Sequence, residues 1–179
     1  MRKIIAFFLK KRGWKIIIKT KIPAKCILCV APHTSNWDFI IAISLYKSVG
    51  GDPHFLMKKD WFFFPFDRIF RSMGGIPVNR DKKTSLTQQM VELFNNNTEF
   101  QLAIAPEGTR KKNSKWKTGF YHIAYAANVP IALVYLDYGK KEIGVERIFY
   151  PSGNAESDIR EIKDYYKDIQ PKHPGKFST

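Results

Sequence analysis

At 179 residues, 44% of them hydrophobic and 15% aromatic, the chain is long enough for one full core and too short for two. No repeat or low-complexity tract is present, which excludes a solenoid and a disordered chain. The formal charge of +14 predicts attraction to polyanions, whether nucleic acid, an anionic membrane surface or a phosphorylated ligand.

The charge is uneven from the start. Arg2, Lys3, Lys10, Lys11, Arg12, Lys15, Lys19, Lys21 and Lys25 all precede Asp38, the first acidic residue. Ile4, Ile5, Phe8 and Leu9 recur at helical spacing and are followed by Trp14 and Ile16, Ile17 and Ile18. This pattern fits an amphipathic element lying on a lipid surface, with a helix packed on the core as the alternative. Residues 1–25 are therefore expected to form a cationic membrane-associating arm, residues 26–170 the folded domain and residues 171–179 a flexible tail. The apolar run at 4–9 ends in three cations. It is short of the roughly 18 residues of a membrane span and poorly flanked for a secretory signal, so no transmembrane helix is expected.

Apolar, strand-like runs follow at 26–31, 54–57, 75–79, 100–105, 131–138 and 143–149, with helix-like stretches at 35–48, 83–95, 118–127 and 157–166. The alternation predicts an α/β fold: a mixed, mainly parallel central sheet flanked by helices, with the last two strands as a possible antiparallel hairpin. Cys26 and Cys29 lie in the first run. Three residues apart on a strand they face opposite sides of the sheet, and the four histidines are scattered singly, so neither a redox pair nor a zinc site is expected. The aromatic run at 61–66 reads as core packing, the border of a ligand groove or a membrane contact.

Ligands in open α/β sheets bind beyond the carboxyl ends of strands, and the polar motifs fall there. Residues 31–38 read A-P-H-T-S-N-W-D. Within a helix, His33 and Asp38 would diverge by about 140°. Pro32 favours a turn and Ser35 is a good helix cap, which leaves His33 in the loop and Asp38 in the first helical turn. A carboxylate there would orient one ring nitrogen and free the other to take a proton from a hydroxyl. No serine or cysteine stands in a nucleophile elbow, so the attacking hydroxyl belongs to a bound acceptor. The competing reading makes Ser35 and Asp38 a capping box and His33 a turn residue.

After the run at 100–105 comes A-P-E-G-T-R. Gly108 permits close backbone approach, Thr109 offers a hydroxyl, and Arg110 a forked donor suited to phosphate. Arg80, ending G-G-I-P-V-N-R at 74–80, is placed to share the same anion.

Taken together these blocks resemble those of the lysophosphatidic acid acyltransferases and related glycerolipid acyltransferases. A histidine, four residues and an aspartate match His33 and Asp38; a glycine-led strand ends in Arg80; P-E-G-T-R matches Pro106, Glu107, Gly108, Thr109 and Arg110; and an apolar V-P-I matches Val129, Pro130 and Ile131. The resemblance implies His33 as general base and Asp38 as its orienter. It places Arg80, Glu107, Gly108, Thr109 and Arg110 on the acceptor's phosphate and glycerol, and Val129, Pro130 and Ile131 at the acyl-chain pocket. The implied reaction moves an acyl group from acyl-CoA or acyl carrier protein, as cosubstrate, to a lysophospholipid, by default 1-acylglycerol-3-phosphate. It implies no metal or other cofactor, a peripheral or monotopic place on the cytoplasmic face of a membrane, and no nucleic-acid partner. Pro32, Asn79 and Leu133 depart from the family's usual asparagine, aspartate and second proline, which leaves the acceptor's identity open. A nonenzymatic binder of anionic membrane or nucleic acid and a thioester hydrolase are the alternatives.

Overall fold

The computed structural model describes the side chains of residues 6–78 and 85–179 and, over 2–5, the backbone alone. In chain order its elements are α1 (Arg2–Lys11), β1 (Lys15–Ile18), β2 (Lys25–Ala31), α2 (Asn36–Ser48), β3 (Pro53–Lys58), α3 (Phe66–Met73), β4 (Gly75–Val78), α4 (Leu86–Asn96), β5 (Phe100–Ile104), α5 (Gly119–Ala126), β6 (Ile131–Asp137), β7 (Glu142–Phe149) and α6 (Ala155–Tyr166). The described strands form one sheet in the order β1-β7-β6-β2-β5-β3-β4. Strands β2 to β6 are mutually parallel, while β7 runs antiparallel to β6 and β1 parallel to β7. This is the expected α/β fold with a mixed, mainly parallel sheet, and the last two long strands do form the hairpin.

The strand period of two sorts the core into layers. On one face Ile27, Cys29, Leu102, Ile131 and Leu133 pack against α4, α5 and α6 through Phe94, Phe120, Ile123 and Ile162. On the other, Cys26, Leu28, Val134, Leu136 and Ile143 pack against Ile41 and Leu45 of α2 and Ala6 of α1. Both faces of β2 are covered, so its sequence reads as a continuous apolar run rather than an alternation. The two cysteines are fully buried in opposite layers, and burial pushes the Cys26 thiol up to about 12.

Both ends of the chain are packed on the domain. Within the stretch expected to form an amino-terminal arm, Ala6 and Trp14 are buried in the core, and β1 is hydrogen-bonded along β7. Ile16, Ile17 and Ile18, expected to lie on a lipid surface, belong to this strand: Ile16 and Ile17 are half-buried, whereas Ile18, Phe7 and Phe8 are exposed. Residues 171–179 lie against the body of the protein. Trp116 Nε1 donates to the Ser178 carbonyl at 3.0 Å, the His173 N–H donates to Thr34 Oγ1 at 3.3 Å, and Phe177 packs on the core.

The crossovers place the site. The helix α2, which follows β2, covers one face, and α5, which follows β5, covers the other. Neighbouring strands whose following helices depart to opposite faces leave a crevice at their carboxyl ends. Here the two loops bounding that crevice carry His33 and Glu107 to Arg110. Among the described residues no helix is long and apolar enough to cross a membrane.

Candidate active site

Ser35 is in extended conformation and caps α2, with Asp38 as the third helical residue of a capping box. The cap leaves His33 outside the helix and turns Asp38 back toward it. His33 Nδ1 lies 3.7 Å from Asp38 Oδ2, an electrostatic contact slightly longer than a hydrogen bond. Asp38 Oδ2 already accepts the N–H groups of Thr34 at 2.6 Å and Ser35 at 2.7 Å, and Oδ1 accepts the Tyr138 hydroxyl at 2.6 Å. The carboxylate is 2% exposed and is held by donors on both oxygens, so helix cap and histidine neighbour are one residue performing both roles.

His33 is partly exposed. Burial lowers its pKa below the ordinary histidine value; the Asp38 carboxylate opposes that shift and the Arg110 guanidinium adds to it. The net shift favours the neutral imidazole, the form in which it accepts a proton.

Across the crevice, Glu107 is buried, and its Oε1 accepts the His33 N–H at 2.8 Å. Glu107 Oε2 has no hydrogen-bond partner among the described residues. Burial raises the Glu107 carboxyl from 4.5 to about 7, with its own and the His33 backbone N–H opposing the shift and Asp38 adding to it. Between about pH 4.5 and about 7 the folded chain thus keeps a proton that the unfolded chain has lost, and this residue costs stability as pH rises across that window. Gly108 has φ +63°, and a Cβ there would stand 2.8 Å from Lys117 Cγ, so both conformation and space favour glycine. Thr109 Oγ1 accepts the Lys111 N–H at 3.2 Å. The exposed Arg110 donates to the Asn36 side-chain oxygen, which fixes its guanidinium beside the first turn of α2. Arg80 lies outside the described residues.

Behind His33 and Asp38 a cavity of about 300 Å³ runs between α2 and the sheet, walled by Leu28, Val30, Phe39, Ala42, Phe55 and Val134 among others, with Tyr46 farther along α2. From Asp38 to Tyr46 it follows the helix for about 12 Å at 1.5 Å per residue. The Tyr46 hydroxyl is held there by Gln101 Oε1 at 2.9 Å. Val129, Pro130 and Ile131 do not line this cavity. Ile131 begins β6 opposite Ile27, the Pro130 carbonyl accepts the Ile27 N–H at 3.0 Å, and Val129 and Ile131 pack in the layer on the other face. That segment sits at the amino end of the strands, away from His33 and outside the α2 cavity.

The structure therefore brings together His33, Asp38, Glu107, Gly108, Thr109 and Arg110. It adds Tyr138 and the Thr34 N–H, to which the sequence offers no pointer, and Asn36, a polar residue in the first turn beside the motif. Among the described residues no group of three or more His, Cys, Asp or Glu side chains is placed to hold a metal.

Residues 14–137 match the family model described as Acyltransferase. The chain is 27% identical over 129 residues to the 1-acyl-sn-glycerol-3-phosphate acyltransferase of Escherichia coli, covering 66% of this chain and 50% of that protein. To the enzyme of the same name from Haemophilus influenzae it is 27% identical over 165 residues, or 80% and 66% of the two chains. It spans about half the length of the Escherichia coli relative and of a further one from Mycoplasma pneumoniae. The crystal structure of the 1-acyl-sn-glycerophosphate acyltransferase PlsC from Thermotoga maritima superposes with a TM-score of 0.60 at 18% identity, over 93% of this chain and 76% of that one. This last likeness is one of fold.

Proposed function

The chain belongs to the acyltransferase family, and on that premise we propose that it moves a fatty acyl group from a thioester to the hydroxyl of a lysophospholipid, with 1-acylglycerol-3-phosphate as the first acceptor to try. The observation that carries the reading is the His33–Asp38 pair at one end of an apolar cavity, with the Glu107 to Arg110 loop on its other side.

In the proposed reaction Asp38 steadies Nδ1 of His33, and Nε2 takes the proton of the acceptor hydroxyl as its oxygen attacks the thioester carbonyl. The tetrahedral intermediate collapses by breaking the carbon–sulfur bond, and the departing thiolate takes the proton back from the imidazolium. A buried carboxylate beside that cation stabilises it as it forms. Arg110 presents a guanidinium to the acceptor's phosphate, Glu107 is assigned to the acceptor's glycerol region from its motif, and Gly108 and Thr109 shape the loop. Arg80 is assigned to the same phosphate from its motif alone. Acyl-CoA or acyl carrier protein serves as the donor cosubstrate, no resident cofactor takes part, and the cationic chain works against the cytoplasmic face of an anionic membrane.

The test is thiol release from labelled acyl-CoA or acyl carrier protein by the purified chain, with and without a panel of lysolipids. Release that depends on lysolipid and yields a diacyl product is the expected result. Equal release without acceptor would identify a thioester hydrolase, and salt-sensitive lipid or nucleic-acid binding without any release a simple polyanion binder.

The acyl chain is assigned to the α2 cavity. Ala42 lines it one turn beyond Asp38, so Ala42→Phe fills its middle. Overfilling a packed apolar site costs about 1 to 3 kcal/mol. Turnover of long-chain donors is expected to fall by about 10-fold or more, while a short-chain donor keeps its rate. Equal loss across a series of chain lengths would place the acyl chain elsewhere.

A further inference from the structure

Between β3 and β4 the chain presents bulky apolar side chains that nothing among the described residues covers. Trp61 is 56% exposed, Phe63 54%, Phe64 89%, Phe66 43% and Ile69 49%. They are organised: Phe63 meets Phe66 edge to face at 5.2 Å, and Phe66 stacks on Phe70 at 6.2 Å. A water-soluble surface rarely leaves so many large rings together without a partner.

We infer that this aromatic turn, spanning Trp61 to Ile69, inserts into the interfacial layer of an anionic phospholipid bilayer. Three observations choose that occupant. Basic residues outnumber acidic ones in and beside the turn, with Lys58, Lys59, Arg68 and Arg71 exposed against Asp60 and the Asp67 that pairs with Arg71, in a chain of net charge +14; a net excess of cations beside exposed aromatics matches a bilayer interface. The position is also apt. Because β2, β3 and β5 are parallel, the turn leaves β3 at the same edge of the sheet at which His33 leaves β2. The two strands are separated only by β5, about 10 Å at the usual strand spacing. Finally, Phe55 and Leu56 of the same β3 strand line the α2 cavity, and Phe55 packs on Phe39 of α2 at 4.7 Å. Rings embedded at this edge bring the cavity to the surface where a lysolipid resides. The inference rests on the proposed lipid acceptor for preferring a bilayer to a second copy of the chain.

The full chain is compared with the triple variant Phe63→Ser, Phe64→Ser, Phe66→Ser by sedimentation with vesicles of phosphatidylcholine alone and with added phosphatidylglycerol. Each ring removed from water favours partition by about 10-fold, so the variant is expected to bind the anionic vesicles at least about 10-fold more weakly. Its turnover with a water-soluble short-chain acceptor should match the parent, because these side chains lie outside the cavity. Phe64→Cys supplies a label site, since both native cysteines are fully buried. An environment-sensitive fluorophore there should shift to shorter wavelength on the anionic vesicles. Unchanged sedimentation of the triple variant, a label that stays in water, or a parent dimer that the triple variant breaks would each overturn the inference. His33→Ala protein is expected to bind vesicles like the parent, so a failure of the acyl-transfer reading shows separately from a failure of this one.

Discussion

Replacing His33 with alanine is expected to slow acceptor-dependent thiol release by about 10²- to 10⁴-fold while leaving the fold intact, because the ring is partly exposed and its backbone N–H, which binds Glu107, survives the change. The pH dependence adds a sharper readout. A general base must be unprotonated, so kcat/KM falls as pH drops through its pKa, and burial holds that of His33 below 6.5. The acid limb of the parent should therefore lie below pH 6.5 and vanish in the variant. A second inflection belongs to Glu107, whose carboxyl is pushed up to about 7; it should disappear in Glu107→Gln while the His33 limb remains. A folded His33→Ala protein with near-parental release would end the assignment of this residue as base.

The central strands and the polar loops after them were legible because each is a local pattern. Residues of β2 and β6 are buried on both faces, so their apolar runs are continuous, and Pro32 and Ser35 mark the turn and cap by their own backbone preferences. Strand β1 was not legible in this way. Its two outer residues are exposed and the inner two half-buried, and it is held by backbone pairing to β7, so its isoleucines carry no strand signature distinct from a lipid-facing stretch. Helix α3 was hidden by its apolar residues: Phe66 and Ile69 are exposed, which breaks the rule that apolar period marks the buried face. The V-P-I motif at 129–131 lies at the amino end of β6, a placement its sequence does not reveal, since a motif does not say which end of a parallel strand faces the site. Tyr138 illustrates the remaining gap. It meets Asp38 across 100 residues of chain, and such a contact is created only when β6 takes its place beside β2.

That contact helps to decide between the two readings of Asp38, as a mere helix cap or as the partner of the base. Asp38→Asn retains one oxygen for the Thr34 and Ser35 N–H groups and turns an amide toward the Tyr138 hydroxyl, which can rotate to accept it. The cap survives in weakened form, at an expected cost of about 1 to 2 kcal/mol in denaturant unfolding. What Asn lacks is the negative charge that steadies an imidazolium, so kcat/KM should fall by about 10²-fold or more if the pair is catalytic. Tyr138→Phe removes one donor and leaves the carboxylate. It should cost about 1 to 2 kcal/mol of stability as well, with a loss of only about 3- to 10-fold in kcat/KM, because Trp14, edge-on to the Tyr138 ring at 5.1 Å, still holds the phenylalanine in place. Equal destabilisation with unequal activity is the signature of a carboxylate that acts on His33. If instead both variants are destabilised and both keep kcat/KM within about 3-fold of the parent, Asp38 is a cap alone, and the histidine works without it.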